Sequence, residues 1–255
     1  MLALIALAGA AACAPRSAEE SGFLDRSVEV QGRRYAYQVY VPRAGRGRGL
    51  PIVLALHGSG ERGSDGLLQT EGGLASSVRR RPDLYPALIV FPQAPLGGSW
   101  EGRSSRAALA AFEASAREFS ADRSRSYLIG WSMGGAGAWE LAAQDPARFA
   151  AVAVVAGYLP GEPVSGGGGA EAYSALARRL ARTPVWIAHG AADPVVPAAG
   201  SRSMAAALQV AGGRFVHQEL PGVGHDSWGG VFEDPRFAAW LFNQRKEGSN
   251  PSLSR

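Results

Sequence analysis

The chain holds one cysteine, Cys13, and one lysine, Lys246, among 255 residues. A lone cysteine rules out any intrachain disulfide. The rest of the 26 basic residues are arginines. Apart from Arg79-Arg80-Arg81 they are dispersed, and the net charge of +4 is small for this length. The basic stripe with interleaved aromatics that nucleic acid demands is missing. No internal repeat or long linker divides the chain, and its 46% hydrophobic content is enough to fill one sizeable core. Met1 to Ala12 are almost wholly small and apolar. The run is too short to span a bilayer and suits the apolar part of a secretory signal.

Alternation of residue types supplies the element count. Residues 27–30 and 34–41 read as strands joined at Gln31-Gly32, with Tyr35, Tyr37, Val39 and Val41 at period two. Residues 51–56 form a continuous apolar run of the kind buried on both faces of a sheet. Further strands are expected at 87–91, 127–129, 150–156, 184–188 and 214–220. Helices are expected at 70–81, 106–119, from the serine turn to 144, at 172–181, at 198–211 and near 237–242. Strands and helices that alternate in this way imply a mainly parallel sheet with helices on both faces, preceded by an antiparallel hairpin. Working residues in such sheets gather on loops after the carboxyl ends of strands. Ser59, Ser132, Asp193 and His225 all stand on loops of that kind. Residues 157–169, with four consecutive glycines, read as a mobile loop.

The stretch from Tyr127 to Gly135 organises these positions. An apolar strand runs into Gly130-Trp131-Ser132-Met133-Gly134, and helix formers follow at once. With 34 glycines in the chain the five-residue pattern alone carries little weight, but its place between strand and helix does. A turn this sharp strains the serine backbone and needs small residues two before and two after it. A serine hydroxyl attacks a carbonyl only if a base takes its proton, a task suited to histidine.

Of four histidines, His57 and His189 sit at tight strand ends where structural hydrogen bonds are the commoner use, and His217 lies inside a strand. His225, in the glycine-rich loop after the last strand, is the expected base. Asp193 is its expected acceptor. Asp226, adjacent in sequence, reaches the ring poorly, and Glu162 is a second candidate. The oxyanion of an attack needs preset donors, for which the N–H groups of Met133 and Ser59 are placed.

The chain order Ser132, Asp193, His225 resembles that of the α/β-hydrolase fold. The likeness runs from about Tyr35 to Phe242. His57-Gly58-Ser59-Gly60-Glu61-Arg62-Gly63, Pro92-Gln93 with Trp100, the serine motif, and His189-Gly190 with Asp193 resemble the secreted phospholipase/carboxylesterase and prolyl-oligopeptidase-like esterases. The resemblance implies a serine carboxylic-ester hydrolase that uses an acyl-enzyme, with no metal and no cofactor. Relatives often carry a helical cap where this chain has residues 157–169, so an open site without a large cap is expected. A peptidase, a polyester or carbohydrate-ester hydrolase, and a non-catalytic binding protein are the competing readings.

Trp100, Trp131 and Trp228 are candidates for an apolar wall around the substrate, and the Glu61-Arg62 pair for fastening its own loop. Ala10-Ala11-Ala12-Cys13 resembles a bacterial lipoprotein signal, with Cys13 the lipidated residue; a plain cleaved signal and an N-terminal core helix are the alternatives. The expected organisation is a leader and polar linker at 1–26, a catalytic domain at 27–245 and a disordered tail at 246–255. Export to the periplasm, cell envelope or medium follows, with membrane attachment if Cys13 is lipidated.

Overall fold

The computed structural model describes residues 21–43, 49–161 and 169–246. The leader with Cys13, the stretch holding Glu162 and the glycine run, and the tail from 247 lie outside the described residues, as do the expectations attached to them.

An antiparallel hairpin of β1 (Gly22–Val30) and β2 (Arg33–Val41) opens the fold. Its two-residue turn, Gln31-Gly32, takes positive φ at both positions, 53° and 71°, the geometry that matches strand twist. β1 starts at Gly22 rather than at 27, because Phe23 packs its ring 5.2 Å from Tyr40 and 5.8 Å from Phe91.

The remaining strands are β3 (Ile52–Leu56), β4 (Leu88–Pro92), β5 (Ser126–Trp131), β6 (Ala151–Val155), β7 (Val185–Gly190) and β8 (Phe215–Leu220). The sheet runs in the order β1-β2-β4-β3-β5-β6-β7-β8. β2 pairs antiparallel with β4, and every pairing from β4 to β8 is parallel. β1 and β8 form the two edges. After β3 the chain moves outward to β4, then returns across β3 to lay down β5. That reversal opens a crevice at the carboxyl ends of β3 and β5, where ligands of such sheets bind.

Two layers of helix cover the sheet, and the period-two alternation of each strand decides which residue meets which layer. Leu54, Leu56, Leu128, Val152, Val154 and Ile187 face α2 (Gly102–Glu118), α3 (Met133–Gln144), α4 (Ala170–Leu180) and α5 (Ala199–Val210) through partners such as Phe112, Leu141, Leu176 and Leu208. Val53, Ile89, Tyr127, Ile129, Trp131 and Trp186 face α1 (Gly73–Arg80), α6 (Trp228–Phe232) and α7 (Pro235–Phe242) through Leu74, Val78, Phe232 and Phe237. β3, β4, β5, β6 and β7 are buried throughout, as continuous apolar runs require, whereas every residue of edge strand β8 is half-buried. α6 was not expected from the sequence. Gly229 and Gly230 conceal it, and it is held by Val231 and Phe232, both fully buried.

Candidate active site

Ser132 stands between β5 and α3 with φ 53° and ψ −123°, a conformation that a non-glycine residue holds at a cost on the order of 1–3 kcal/mol. Close packing enforces it. A Cβ at Gly130 would lie 2.0 Å from the Gly134 carbonyl oxygen, and one at Gly134 only 1.9 Å from that of Leu56. Glycine is therefore required on both sides of the turn. The Ser132 N–H donates to the Val155 carbonyl at 2.9 Å, which ties the turn to β6.

His225 arrives from the loop after β8, and its Nε2 lies 3.0 Å from Ser132 Oγ. Its Nδ1 lies 2.7 Å from Asp193 Oδ2. A carboxylate can only accept, so Nδ1 carries the proton and Nε2 is left to take one from the hydroxyl. Asp193 Oδ1 accepts from the N–H groups of Val195 and Val196 at 2.8 and 2.9 Å. Burial would push the Asp193 carboxyl up, but the hydrogen bonds from His225 and these two amides outweigh it and hold it below the usual range. The arrangement can move a proton from Ser132 to His225 while Asp193 fixes the ring and balances its charge.

Gly190 allows the two loops to meet. A Cβ there would lie 2.1 Å from the Gly224 carbonyl oxygen. The N–H groups of Ala191 and Ala192 donate to Leu220 and Val223, each at 2.9 Å. The sequence marks Gly190 only as the residue after His189; its role becomes visible once β7 and β8 are known to be neighbours.

The other strand-end histidines are fully engaged. His57 donates through Nδ1 to the Gly58 carbonyl at 2.6 Å and accepts at Nε2 from the Ala94 N–H at 2.9 Å. Burial lowers it to about 4, so it is neutral at physiological pH. His189 donates through Nε2 to the Val196 carbonyl at 2.8 Å, with Ser201 Oγ at 2.6 Å from Nδ1. Burial lowers its pKa as well. His217 lies on β8, and Asp226 is exposed beside the base, with neither hydrogen-bonded to Ser132 or His225.

The loop after β3 closes the other side. A Cβ at Gly58 would lie 3.4 Å from Ser132 Cβ, so the Ser59 amide that follows is a neighbour of the serine. Ser59 opens a 3-10 turn and Met133 opens α3. As first residues of their helices, both have N–H groups without an acceptor inside the helix. The adjoining pair splits. Glu61 Oε1 accepts from the Trp131 indole at 3.3 Å, and burial raises its carboxyl. Arg62 donates through one Nη to Met133 Sδ at 3.0 Å.

Two of the three tryptophans are not where a substrate wall would need them. Trp131 is the next member of the series Tyr127, Ile129 and points down to the α1, α6 and α7 layer, fully buried against Gly73 and Phe232. Trp100 is 1% exposed, packed over Gly137, with its indole donating to the His57 carbonyl at 2.9 Å. Trp228 alone is half-buried beside the site, its ring edge-on to His225 at 5.2 Å between centroids.

A doubly wound sheet whose serine, aspartate and histidine meet in that chain order at its carboxyl edge is the signature of one fold class. The chain belongs to the α/β-hydrolase superfamily. Residues 110–236 match the Phospholipase/Carboxylesterase family. The chain is 31% identical over 194 residues to the proposed esterase NocK of Nocardia uniformis subsp. tsuyamanensis, covering 68% of this chain and 49% of that protein. A thermostable esterase of solved structure superposes with a TM-score of 0.74 at 28% identity, covering 88% of this chain and 63% of the other. A ferulic acid esterase superposes with a TM-score of 0.67 at 15% identity over 88% of this chain and 98% of its own, a likeness of fold. The chain thus spans about half the length of the curated relative it matches.

Proposed function

We propose that the protein is a serine hydrolase of carboxylic esters. The observation that carries this reading is the unbroken run from Ser132 Oγ to His225 Nε2, 3.0 Å, and from His225 Nδ1 to Asp193 Oδ2, 2.7 Å, on a strained serine. Ser132 Oγ attacks the ester carbonyl as its proton passes to His225. The developing oxyanion accepts from the N–H groups of Met133 and Ser59. The tetrahedral intermediate collapses, the bond to the alcohol oxygen breaks, and His225 returns the proton to the departing alcohol. Water, deprotonated by the same imidazole, then attacks the acyl-serine, and release of the carboxylic acid restores Ser132.

A fluorophosphonate probe should label Ser132, read by peptide mass spectrometry, and Ser132→Ala should abolish hydrolysis of a short p-nitrophenyl ester. Retained turnover in that variant would remove the reading. The apolar run ending at Cys13 supports export, with Cys13 as the point of lipid attachment. Cys13→Ser should then shift the protein from the membrane to the soluble fraction.

A further inference from the structure

Arg62 is underused where it stands. Among the described residues its only hydrogen bond is to a thioether, Met133 Sδ at 3.0 Å, a weak acceptor. Its Nε is buried without a partner among them. No carboxylate among the described residues lies within 4.0 Å of its guanidinium. The adjacent Glu61 is turned away, its carboxyl oxygens 3.3 Å from the Trp131 indole and 4.0 Å from His57 Nδ1. A buried guanidinium nitrogen left unbonded is costly unless something arrives to accept from it.

Its position says what that is. Arg62 touches the side chain of Met133 and comes from the loop after β3, on one flank of the serine strand β5, whereas His225, which must protonate the leaving alcohol, comes from the loop after β8, on the other flank. What lies beside Arg62 is therefore the acyl part of the ester. Tyr158 is near enough for the guanidinium to pull down its pKa, which burial pushes up further, so its hydroxyl remains a neutral donor.

We infer that Arg62 is a specificity-determining residue that binds a carboxylate on the acyl chain, making half-esters of dicarboxylic acids the preferred substrate class. The inference rests on the ester-hydrolase reading above. Arginine suits the task because its planar fork meets a carboxylate with two parallel hydrogen bonds.

The test compares mono-p-nitrophenyl esters of succinic, glutaric and adipic acid with the uncharged p-nitrophenyl esters of the same chain length. At the best of the three lengths, kcat/KM for the charged ester should exceed that of its neutral counterpart by roughly ten- to a hundred-fold, the reach of one charge-assisted contact. Arg62→Gln should bring that ratio close to one, and Arg62→Lys should keep part of it, with the preference shrinking as salt is added. A purely structural Arg62 would lower both rates in Arg62→Gln and leave the ratio where it was, which would overturn the inference. So would a wild-type preference for the neutral ester at all three lengths while the fluorophosphonate still labels Ser132, and that outcome would leave the hydrolase reading standing. If the probe fails to label and neither ester turns over, both fall together.

Discussion

The loops after β3 and β8 each present a histidine at the carboxyl edge of the sheet, and they put it to opposite uses. His57 spends both ring nitrogens on the main chain, donating to Gly58 and accepting from Ala94. It is 1% exposed and held neutral. His225 instead sits between a hydroxyl and a carboxylate, with its side chain 19% exposed. His225 Nε2 faces a hydroxyl that can itself give or take a proton, while protonating His57 would destroy its bond from Ala94. Partners, more than position along the chain, separate the proposed base from a fastener.

That contrast can be broken in order of size. His225→Ala should lower kcat on a p-nitrophenyl ester by roughly 10⁶-fold, while His57→Gln costs far less activity per unit of folded protein; equal losses would erase the distinction. Asp193→Asn should lower kcat by about 10⁴-fold with little change in thermal midpoint, since an amide can accept from Val195 and Val196 but favours the wrong tautomer of His225. Ser59→Pro tests the donor in the loop that His57 fastens. Gly58 is extended at φ −75° and ψ −176°, and proline is tolerated at the first position of a helix, so the fold should accept it. Loss of the Ser59 N–H should cost kcat about 10²- to 10³-fold, where Ser59→Ala should be nearly silent.

Stability against pH sharpens the comparison from the other side. The unfolded chain protonates His57 near its ordinary 6.5 and the folded one near 4. The unfolded state therefore binds more protons between those values, so stability is full above about pH 6.5 and falls as pH drops toward 4, by on the order of 3 kcal/mol. Thermal midpoints of His57→Gln should be lower at neutral pH and flatter across that window. The smallest effect is expected at Glu61. Its carboxyl is raised by burial, so charge there opposes folding as pH climbs above the ordinary carboxylate range. Glu61→Gln, which retains an acceptor for the Trp131 indole, should raise the thermal midpoint slightly at pH 8 and change nothing near pH 4.

The sequence made the sheet and the three side chains that meet at its edge legible because both leave local marks. Strands buried on both faces read as apolar runs, and the serine turn shows itself through Gly130 and Gly134. Asp193 was legible as an Asp-Pro turn on the loop after a strand, and His225 as the one histidine in a glycine-rich loop. What depends on distant neighbours was harder to read. Trp100 is drawn inside by the notch at Gly137, and nothing near Trp100 announces it. The burial of Trp131 was available from its parity with Tyr127 and Ile129, a signal obscured by its place beside the serine. α2 begins at Gly102 rather than at 106 because Ser104 and Ser105 are buried against the core, overriding their weak helix propensity. The contact of Arg62 with Met133 has no local signature at all.

The three groups of the site differ in what secures them. Ser132 hangs from the centre of the sheet, and Asp193 is clasped by amides two and three residues further on. His225 depends on β8, which leans on a single neighbour and is half-open to water along its length. Warming should loosen that margin first and carry the imidazole away while the interior strands still hold. Catalysis would then fail some degrees below the melting of the molecule, and return on cooling, so that its heat limit is set at the rim.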